Sequence, residues 1–84
     1  MAYYVYILYT KGYDKYYIGQ TNAVGERLKR HNSGTEKATA PYRPWEIVWF
    51  TEKPSRAEAM ELEKKLKNLS KGRLIAFMAK YRSV

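Results

Sequence analysis

Residues 3–20 read YYVYILYTKGYDKYYIGQ, and this stretch decides the fold. Its first part, residues 3–9, is rich in Tyr, Val and Ile, the residue types that favour β-strands. Residues 10–15 carry a glycine and an aspartate at their centre and predict a turn. Residues 16–20 predict a second short strand, so the stretch is expected to form a β-hairpin.

The register of this hairpin follows if Tyr9 pairs with Tyr16. One face of the hairpin then carries Tyr6, Leu8, Tyr17 and Gly19. Two phenol groups lie close together on that face, beside a glycine that lets a backbone or a ligand approach. Tyrosine is common in strands and the chain has nine, so a purely structural role for the two phenols stays open.

The next two elements are a helix and a strand. A helix is predicted over residues 22–33, with Asn22 as its N-cap and Gly34 as its C-terminal stop. A polar, proline-containing connection follows over residues 35–44. Residues 45–50 are dense in aromatic and β-branched side chains, so they predict a third strand.

Two helices complete the chain. Ser55 and Glu58 form a capping box, which opens a helix that runs to about Leu69. Residues 70–81 predict one more helix. The order β-β-α-β-α-α is typical of a small α+β domain with a mostly antiparallel sheet. With 84 residues, the chain is expected to form one domain over residues 1–84.

The residue types that are missing or rare limit the metal chemistry. The chain has no cysteine and one histidine. Disulfides, thiolate zinc sites and sites with several histidines are therefore excluded. Any metal must be held mainly by carboxylate and water oxygens, which favours magnesium or manganese.

The charge of the chain points to a polyanionic partner. Sixteen Lys and Arg stand against eight Asp and Glu, giving a net charge of +8. Nucleic-acid enzymes, ribosome-associated proteins and membrane-surface proteins share this feature, and solubility alone can also explain it. The start of the chain lacks the pattern of a signal peptide, and its longest apolar stretch is too short to span a bilayer. We therefore expect a cytoplasmic protein without a membrane partner.

The first helix carries two polar residues on its apolar face. At 100° per residue, that face comprises Val24, Arg27, Leu28 and His31. Val24 and Leu28 are expected to dock the helix on the sheet, so Arg27 and His31 also point at the protein. An arginine turned inward needs a partner or a ligand. The alternative is an arginine packed by its stem, with a histidine that caps the helix end.

The helix after the capping box carries a carboxylate at the border of its apolar stripe. The stripe consists of Ala59, Leu62, Leu66 and Leu69. Glu63 lies roughly 80° from the centre of that stripe, whereas Glu61 faces solvent. Glu63 at the rim of the core suits a metal ligand, but it equally suits an exposed ion pair with Lys67. The candidate residues together offer two phenols, a guanidinium, an imidazole and a carboxylate, a set that phosphodiester cleavage can use.

The sequence resembles the GIY-YIG nuclease superfamily, and in particular its small single-domain bacterial members, the UPF0213-like group. The stretch 4–6 (Tyr-Val-Tyr) stands where the family has Gly-Ile-Tyr, and the stretch 17–19 (Tyr-Ile-Gly) matches the second half of the signature. Arg27 and His31 match the family's Arg and His four residues apart on the following helix. The family then has Ala-x-x-x-Glu-x-x-x-Lys on a later helix. Ala59, Glu63 and Lys67 match that pattern.

Two further features bear on the resemblance, which covers almost the whole chain. Pro44 and Trp45 precede the third strand, as in the small members of the family. Tyr4 replaces the first glycine of the signature, a departure that removes no functional side chain. The family fold is a three-stranded antiparallel sheet flanked by helices, in agreement with the order of elements.

The resemblance implies an endonuclease-type hydrolase of phosphodiester bonds, with DNA as the expected nucleic acid. The catalytic residues it implies are Tyr6, Tyr17, Arg27, His31 and Glu63. We hypothesise that Glu63 holds one Mg²⁺ or Mn²⁺ ion and that Arg27 clamps the scissile phosphate. Tyr6, aided by His31, is the favoured group to take the proton of the attacking water, with Tyr17 as the other candidate.

The sequence specifies the nucleic-acid contacts and the need for a partner protein less closely than the catalytic residues. The expected contacts are Gly19, Lys29, Arg30, Lys37, Arg43 and Lys67, with Lys64 nearby. The intact set of catalytic residues disfavours a binding module that no longer turns over. An independently active endonuclease and an accessory module that needs a partner protein for substrate recognition are not separated by the sequence.

Overall fold

The hairpin predicted at the start of the chain forms the centre of the fold. The structure is a computed structural model that describes residues 2–82. Its elements are strand β1 (Tyr3–Thr10), strand β2 (Lys15–Thr21), helix α1 (Val24–Ser33), a single 3-10 turn (Ala40–Tyr42), strand β3 (Glu46–Lys53), helix α2 (Arg56–Lys67) and helix α3 (Lys71–Lys80). None of the helices within these residues is both long enough and apolar enough to cross a membrane.

The three strands form one antiparallel sheet in the order β2-β1-β3. Tyr9 pairs with Tyr16 and Tyr6 pairs with Gly19, which is the predicted hairpin register. The central strand is β1, so β2 and β3 are the two edges. The predicted fold, a three-stranded antiparallel sheet flanked by helices in the order β-β-α-β-α-α, is confirmed.

The alternation of side chains along β1 divides the core into two layers. Val5 and Ile7 are fully buried on one face, where they pack against α2 and α3. Tyr6 and Leu8 are buried on the other face, where α1 covers them. Because successive strand residues point to opposite faces, helices α1 and α2 lie on opposite sides of the sheet.

The third strand is longer than predicted and contains an irregularity. It continues to Lys53 because the first residues of β1 remain available as pairing partners. The register shifts between Ile7 and Leu8, which pair with Trp49 and Ile47. Val48 is the extra residue of this bulge and is exposed.

The start of helix α1 departs from the prediction. Helix α1 begins at Val24 with Ala23 as its N-cap, so the predicted cap at Asn22 is wrong. The reason is local, because the Thr21 hydroxyl accepts the Ala23 N–H at 3.0 Å and draws the chain into its own turn. Gly34 ends α1 in the left-handed conformation, at φ 87°, as predicted.

Helix α2 has the predicted start and a shorter end. The Ser55 hydroxyl accepts the Glu58 N–H at 3.3 Å, which confirms the N-cap. The helix ends at Lys67, two residues before the predicted end. Ser70 then caps α3 by accepting the Arg73 N–H.

Candidate active site

Tyr6 lies over the glycine that pairs with it across the hairpin. Its side chain is almost completely buried, with 1% of its surface exposed. A Cβ atom added at Gly19 would lie 2.5 Å from the Tyr6 hydroxyl oxygen, closer than real Cβ contacts come. The glycine of the Tyr-Ile-Gly triplet therefore makes room for the phenol of the neighbouring strand. Gly19, predicted as a nucleic-acid contact, is itself buried in this arrangement.

The Tyr6 phenol joins a buried chain of hydrogen bonds. Its hydroxyl is hydrogen-bonded to His31 Nε2 at 3.0 Å. The other ring nitrogen, Nδ1, is hydrogen-bonded to Thr39 Oγ1 at 2.8 Å. His31 comes from the last turn of α1, and both His31 and Thr39 are 1% exposed. The histidine therefore does not cap the helix but connects the sheet to the segment after α1.

Burial shifts the titration of both groups in this chain. Burial raises the pKa of Tyr6 far above its usual value of 10, and nearby Tyr17 adds to the effect while Arg27 opposes it. Burial also lowers the pKa of His31 below 6.5, although Glu36 opposes this shift. At neutral pH the pair is therefore a neutral phenol and a neutral imidazole.

Tyr17 flanks the same imidazole from the edge strand β2. Its ring centroid lies 4.8 Å from that of His31 and 6.4 Å from that of Tyr6. Unlike Tyr6, it is only half-buried. The two phenols predicted to share a face thus surround one histidine, with Tyr17 as the more accessible phenol.

Arg27 lies one turn before His31 on the same face of α1. It is half-buried and forms no ion pair within residues 2–82. Its guanidinium is close enough to Tyr6 to lower the pKa of that phenol. Val24 and Leu28 pack against the core beneath it, as predicted. The arginine thus has the inward position that the helix pattern predicts, and its charge is not neutralised by a carboxylate.

A polar cavity of about 430 Å³ opens beside Arg27. It is lined by Tyr3, Gln20, Thr21, Asn22, Arg27 and Arg56. Arg56 is the first residue of α2, so the cavity lies where α1, α2 and the end of β2 meet. Two guanidinium groups that share one cavity and have no ion-pair partner within the described chain form a basic recess.

Glu63 approaches this group of residues from the other side of the sheet. Arg56 at the start of α2 shares a cavity with the end of β2, and Lys67 at the other end shares a cavity with Tyr17 and its neighbours. Helix α2 therefore runs along the β2 edge, and Glu63 lies between its two ends. Burial is the main cause of the raised pKa of Tyr6, and the charge of Glu63 adds a smaller contribution in the same direction. Glu63 is thus electrostatically coupled to the buried phenol, but it belongs to the opposite helical layer.

The Glu63 carboxylate is paired with Lys67, the alternative that the sequence left open. Lys67 Nζ lies 2.9 Å from Glu63 Oε2. The pair is not fully exposed, because only 18% of the Glu63 side chain is accessible, against 54% for Lys67. The carboxylate therefore keeps a half-buried position while its partner extends to solvent.

The structure offers a divalent ion a single carboxylate at this position, that of Glu63. No group of three His, Cys, Asp or Glu residues in the described part of the chain could enclose a metal. Mg²⁺ does not require such a group, since it often binds through one or two carboxylates and completes its shell with water and substrate phosphates. A half-buried Glu63 can serve as that single ligand once Lys67 moves aside.

The predicted basic contacts differ in how they are held. Lys29 and Lys37 are exposed, and Arg30 lies 3.7 Å from Glu36. Arg43 is anchored, because its Nε donates to the Ala40 carbonyl at 2.8 Å. Lys64 lines a cavity along α2 together with Glu63 and Lys67.

Two residues of the site were missed by the sequence analysis. Thr39 lies in the polar connection after α1, where no periodicity indicates which side chain turns inward. Arg56 directly follows the Ser55 cap, and the capping pattern explains its position without reference to any ligand. Neither residue has a sequence signal of its own, since both reach the site through the packing of distant segments.

The fold and the arrangement of these residues agree with the family comparison. The model of the GIY-YIG catalytic domain matches residues 2–75. The chain therefore belongs to the GIY-YIG nuclease family, as the resemblance of its motifs predicts.

Within this family, the chain is similar to the UPF0213 protein BH0048 of Halalkalibacterium halodurans. The two are 40% identical over 72 residues, which cover 84% of this chain and 76% of the relative. The solution NMR structure of the UPF0213 protein BH0048 from Bacillus halodurans superposes with a TM-score of 0.61 at 36% identity. The match covers 94% of this chain and 84% of that one. The predicted membership of the UPF0213-like group is thus confirmed.

Proposed function

We propose that the protein is a divalent-metal-dependent endonuclease that hydrolyses phosphodiester bonds of nucleic acid, with DNA as the substrate. The observation that carries the proposal is the buried hydrogen bond between Tyr6 and His31 beside Arg27. A phenol held against an imidazole can pass on a proton, and a guanidinium without an ion pair can bind a phosphate.

In the proposed mechanism, a water molecule attacks the phosphorus atom while Tyr6 accepts its proton. The phenol simultaneously gives its own proton to His31 Nε2, so no free phenolate forms at the raised pKa of Tyr6. Arg27 binds the non-bridging oxygens and stabilises the charge that develops on them. The new P–O bond forms as the P–O bond to the leaving oxygen breaks, and that oxygen then takes a proton from solvent.

Glu63 is the residue we assign to the metal. A bound divalent ion supplies charge stabilisation to the leaving oxygen. Lys67 neutralises Glu63 in the free protein, which keeps a half-buried carboxylate compensated until the substrate and the ion arrive together. On this view Lys67 swings to a phosphate of the substrate, a role consistent with its predicted nucleic-acid contact.

The basic residues around α1 support a nucleic-acid partner. The recess with Arg27 and Arg56 can take a backbone phosphate next to the scissile one. We assign further phosphate contacts to Lys29, Arg30, Lys37 and Arg43. The net charge of +8 supports the same partner. We also propose that residues 1–84 form a single domain and that the protein acts in the cytoplasm.

The test is cleavage of defined substrates by the isolated chain. Branched, nicked and plain duplex DNA, and RNA of the same sequences, are incubated with Mg²⁺ and separately with EDTA. We expect cleavage of at least one DNA substrate that stops when the ion is removed. Cleavage that continues in EDTA would contradict the metal dependence, and binding without any cleavage would contradict independent activity.

The Glu63–Lys67 pair favours a second candidate, a nucleic-acid-binding or accessory module that needs a partner protein. A carboxylate already paired at 2.9 Å must be released before it can bind an ion, and a partner can cause that release. This candidate predicts tight, salt-sensitive binding by the chain alone and no cleavage. The substrate panel above separates the two candidates.

A further inference from the structure

Thr39 occupies an unusual place for a loop threonine. It lies between α1 and the 3-10 turn that begins at Ala40, yet it is only 1% exposed. Its hydroxyl oxygen is 2.8 Å from His31 Nδ1, on the side of the ring opposite Tyr6. A buried hydroxyl in this position is the hydrogen-bond partner of one of the two ring nitrogens, and it can either donate to that nitrogen or accept from it.

The proton positions follow from counting donors and acceptors. Tyr6 is 1% exposed, and the acceptor found for its hydroxyl within the described residues is His31 Nε2 at 3.0 Å. The nearby Arg27 offers only donors. Since a buried hydroxyl without an acceptor is costly, Nε2 must carry a lone pair, and the imidazole proton resides on Nδ1.

The hydrogen-bond donors and acceptors also match on the other side of the imidazole ring. With the proton on Nδ1, that nitrogen donates to Thr39 Oγ1 at 2.8 Å, and the Thr39 hydroxyl has the Glu36 carbonyl as its own acceptor at 3.3 Å. No buried side-chain polar atom lacks a partner within residues 2–82. The opposite tautomer would leave the Tyr6 hydroxyl without an acceptor there.

Thr39 is itself held in place through Trp45. The indole Nε1 of Trp45 donates to the Thr39 carbonyl at 2.8 Å. Asn32, the residue after His31, accepts the Trp45 N–H at 2.7 Å and donates to its carbonyl at 3.0 Å. The end of α1, Trp45 and Thr39 thus form a closed ring of contacts, which fixes the hydroxyl relative to the imidazole.

We infer that Thr39 is a positioning residue that accepts the His31 Nδ1–H and so holds the ring with the Nε2 lone pair directed at Tyr6. A hydroxyl orients the ring without the negative charge of a carboxylate, so it leaves His31 neutral and ready to accept a proton. The catalytic meaning of this arrangement rests on the proposed nuclease function, whereas the tautomer itself does not.

The tautomer can be read directly by NMR, because the chain has a single histidine. Long-range ¹H–¹⁵N correlation spectra identify which ring nitrogen carries the proton. We expect the proton on Nδ1 in the wild type and in Thr39→Ser, which keeps the hydroxyl. Thr39→Val removes the acceptor for Nδ1–H while Tyr6 still needs Nε2 as its acceptor, so we expect the proton to stay on Nδ1 but to lose its hydrogen bond, with an upfield shift and faster exchange of the Nδ1 proton.

Thr35→Val is the matched control. It makes the same change at an exposed threonine whose hydroxyl bonds the Arg30 carbonyl and Ser33 rather than the histidine. We expect its spectrum to match the wild type. A wild-type proton on Nε2 would overturn the inference even if Thr39→Val failed to fold, and an Nδ1 proton with unchanged shift and exchange rate in folded Thr39→Val would also overturn it.

Activity supplies a second and separable reading. Thr39→Val should lower kcat on the order of tenfold, the size typical for loss of a group that orients a catalytic ligand, with KM unchanged and with recovery in Thr39→Ser. If the Nδ1 proton responds as predicted while no variant, including the wild type, cleaves any substrate, then the proposed nuclease function fails and the role of Thr39 stands. If the wild type cleaves but its imidazole proton lies on Nε2, then the role of Thr39 fails and the proposed nuclease function stands.

Discussion

At the scale of single residues, the contact between Tyr6 and Gly19 is the most tightly determined feature of the site. The phenol occupies the space that any side chain at position 19 would fill. Its hydroxyl is therefore held where His31 can bond it. The packing of one strand on its neighbour thus positions the hydrogen-bonded pair of Tyr6 and His31.

Gly19→Ala tests this contact. The new methyl group would lie 2.5 Å from the Tyr6 hydroxyl oxygen and 2.7 Å from Cζ, so the buried ring must shift. Overpacking of this kind costs about 1–3 kcal/mol, and we expect a lower free energy of unfolding in urea. Gly25→Ala is the control, since nothing lies within 4 Å of its added Cβ and alanine is the better helix former. Equal stabilities for Gly19→Ala and the wild type would contradict the described packing.

His31 gives the protein a specific dependence of stability on pH. Burial lowers its pKa in the folded state below the usual 6.5, so the unfolded chain binds more protons. The stabilisation is present above the unfolded pKa and is lost as the pH falls through the folded one. We expect the urea midpoint to decrease from about pH 7.5 to about pH 5.5, above the range where carboxylates titrate. In His31→Gln this slope should be absent, and an equal slope in both proteins would contradict the assignment to His31.

At the scale of elements, the first turns of α1 and α2 place Arg27 and Arg56 on one cavity. If that cavity takes a backbone phosphate, then Arg56→Gln should remove one phosphate contact. The slope of log K against log salt should then fall by about 1, with weaker binding to all sequences. Arg73→Gln is the control, because it removes the same charge from an exposed position on α3. Identical salt slopes for the two variants would contradict a phosphate site at Arg56.

The elements also show what a sequence can predict. The hairpin register follows from the residues that flank one turn, and the Ser55 cap follows from a pattern of four residues. The start of α1 was predicted wrongly, because the Thr21 side chain competes for the Ala23 N–H. Propensity assigns the cap by residue type and does not include this competition.

None of these local patterns predicts how the residues of the site come together. Helix periodicity correctly predicted that Arg27 and His31 point at the protein, but it did not predict which group His31 contacts. Thr39 arrives from a connection without regular structure, and Arg56 arrives from a helix on the opposite layer of the sheet. Their positions depend on how the layers pack, which local sequence does not encode.

At the scale of the whole molecule, the sheet separates the two halves of the proposed site. Helix α1 contributes Arg27 and His31 from one side, and α2 contributes Glu63 along the β2 edge from the other. The effect of the Glu63 charge on the pKa of Tyr6 is small beside that of burial. The proposed mechanism therefore requires the Glu63 carboxylate to act on the substrate from the β2 edge of the sheet.

Glu63→Gln, assayed for Mg²⁺-dependent cleavage beside the wild type and Glu61→Gln, tests this central claim most directly. The substitution keeps the shape of the side chain but removes the charge that a divalent ion needs. Glu61→Gln removes the same charge from an exposed position on the same helix.

We predict that the wild type and Glu61→Gln cleave alike. Glu63→Gln should fold and bind nucleic acid, but its cleavage rate should fall by a factor on the order of 10³ or more. Such a factor corresponds to several kcal/mol of transition-state stabilisation. Cleavage by Glu63→Gln at close to the wild-type rate would contradict the assigned metal ligand. Absence of cleavage by the wild type on every substrate of the panel would contradict the proposed independent nuclease.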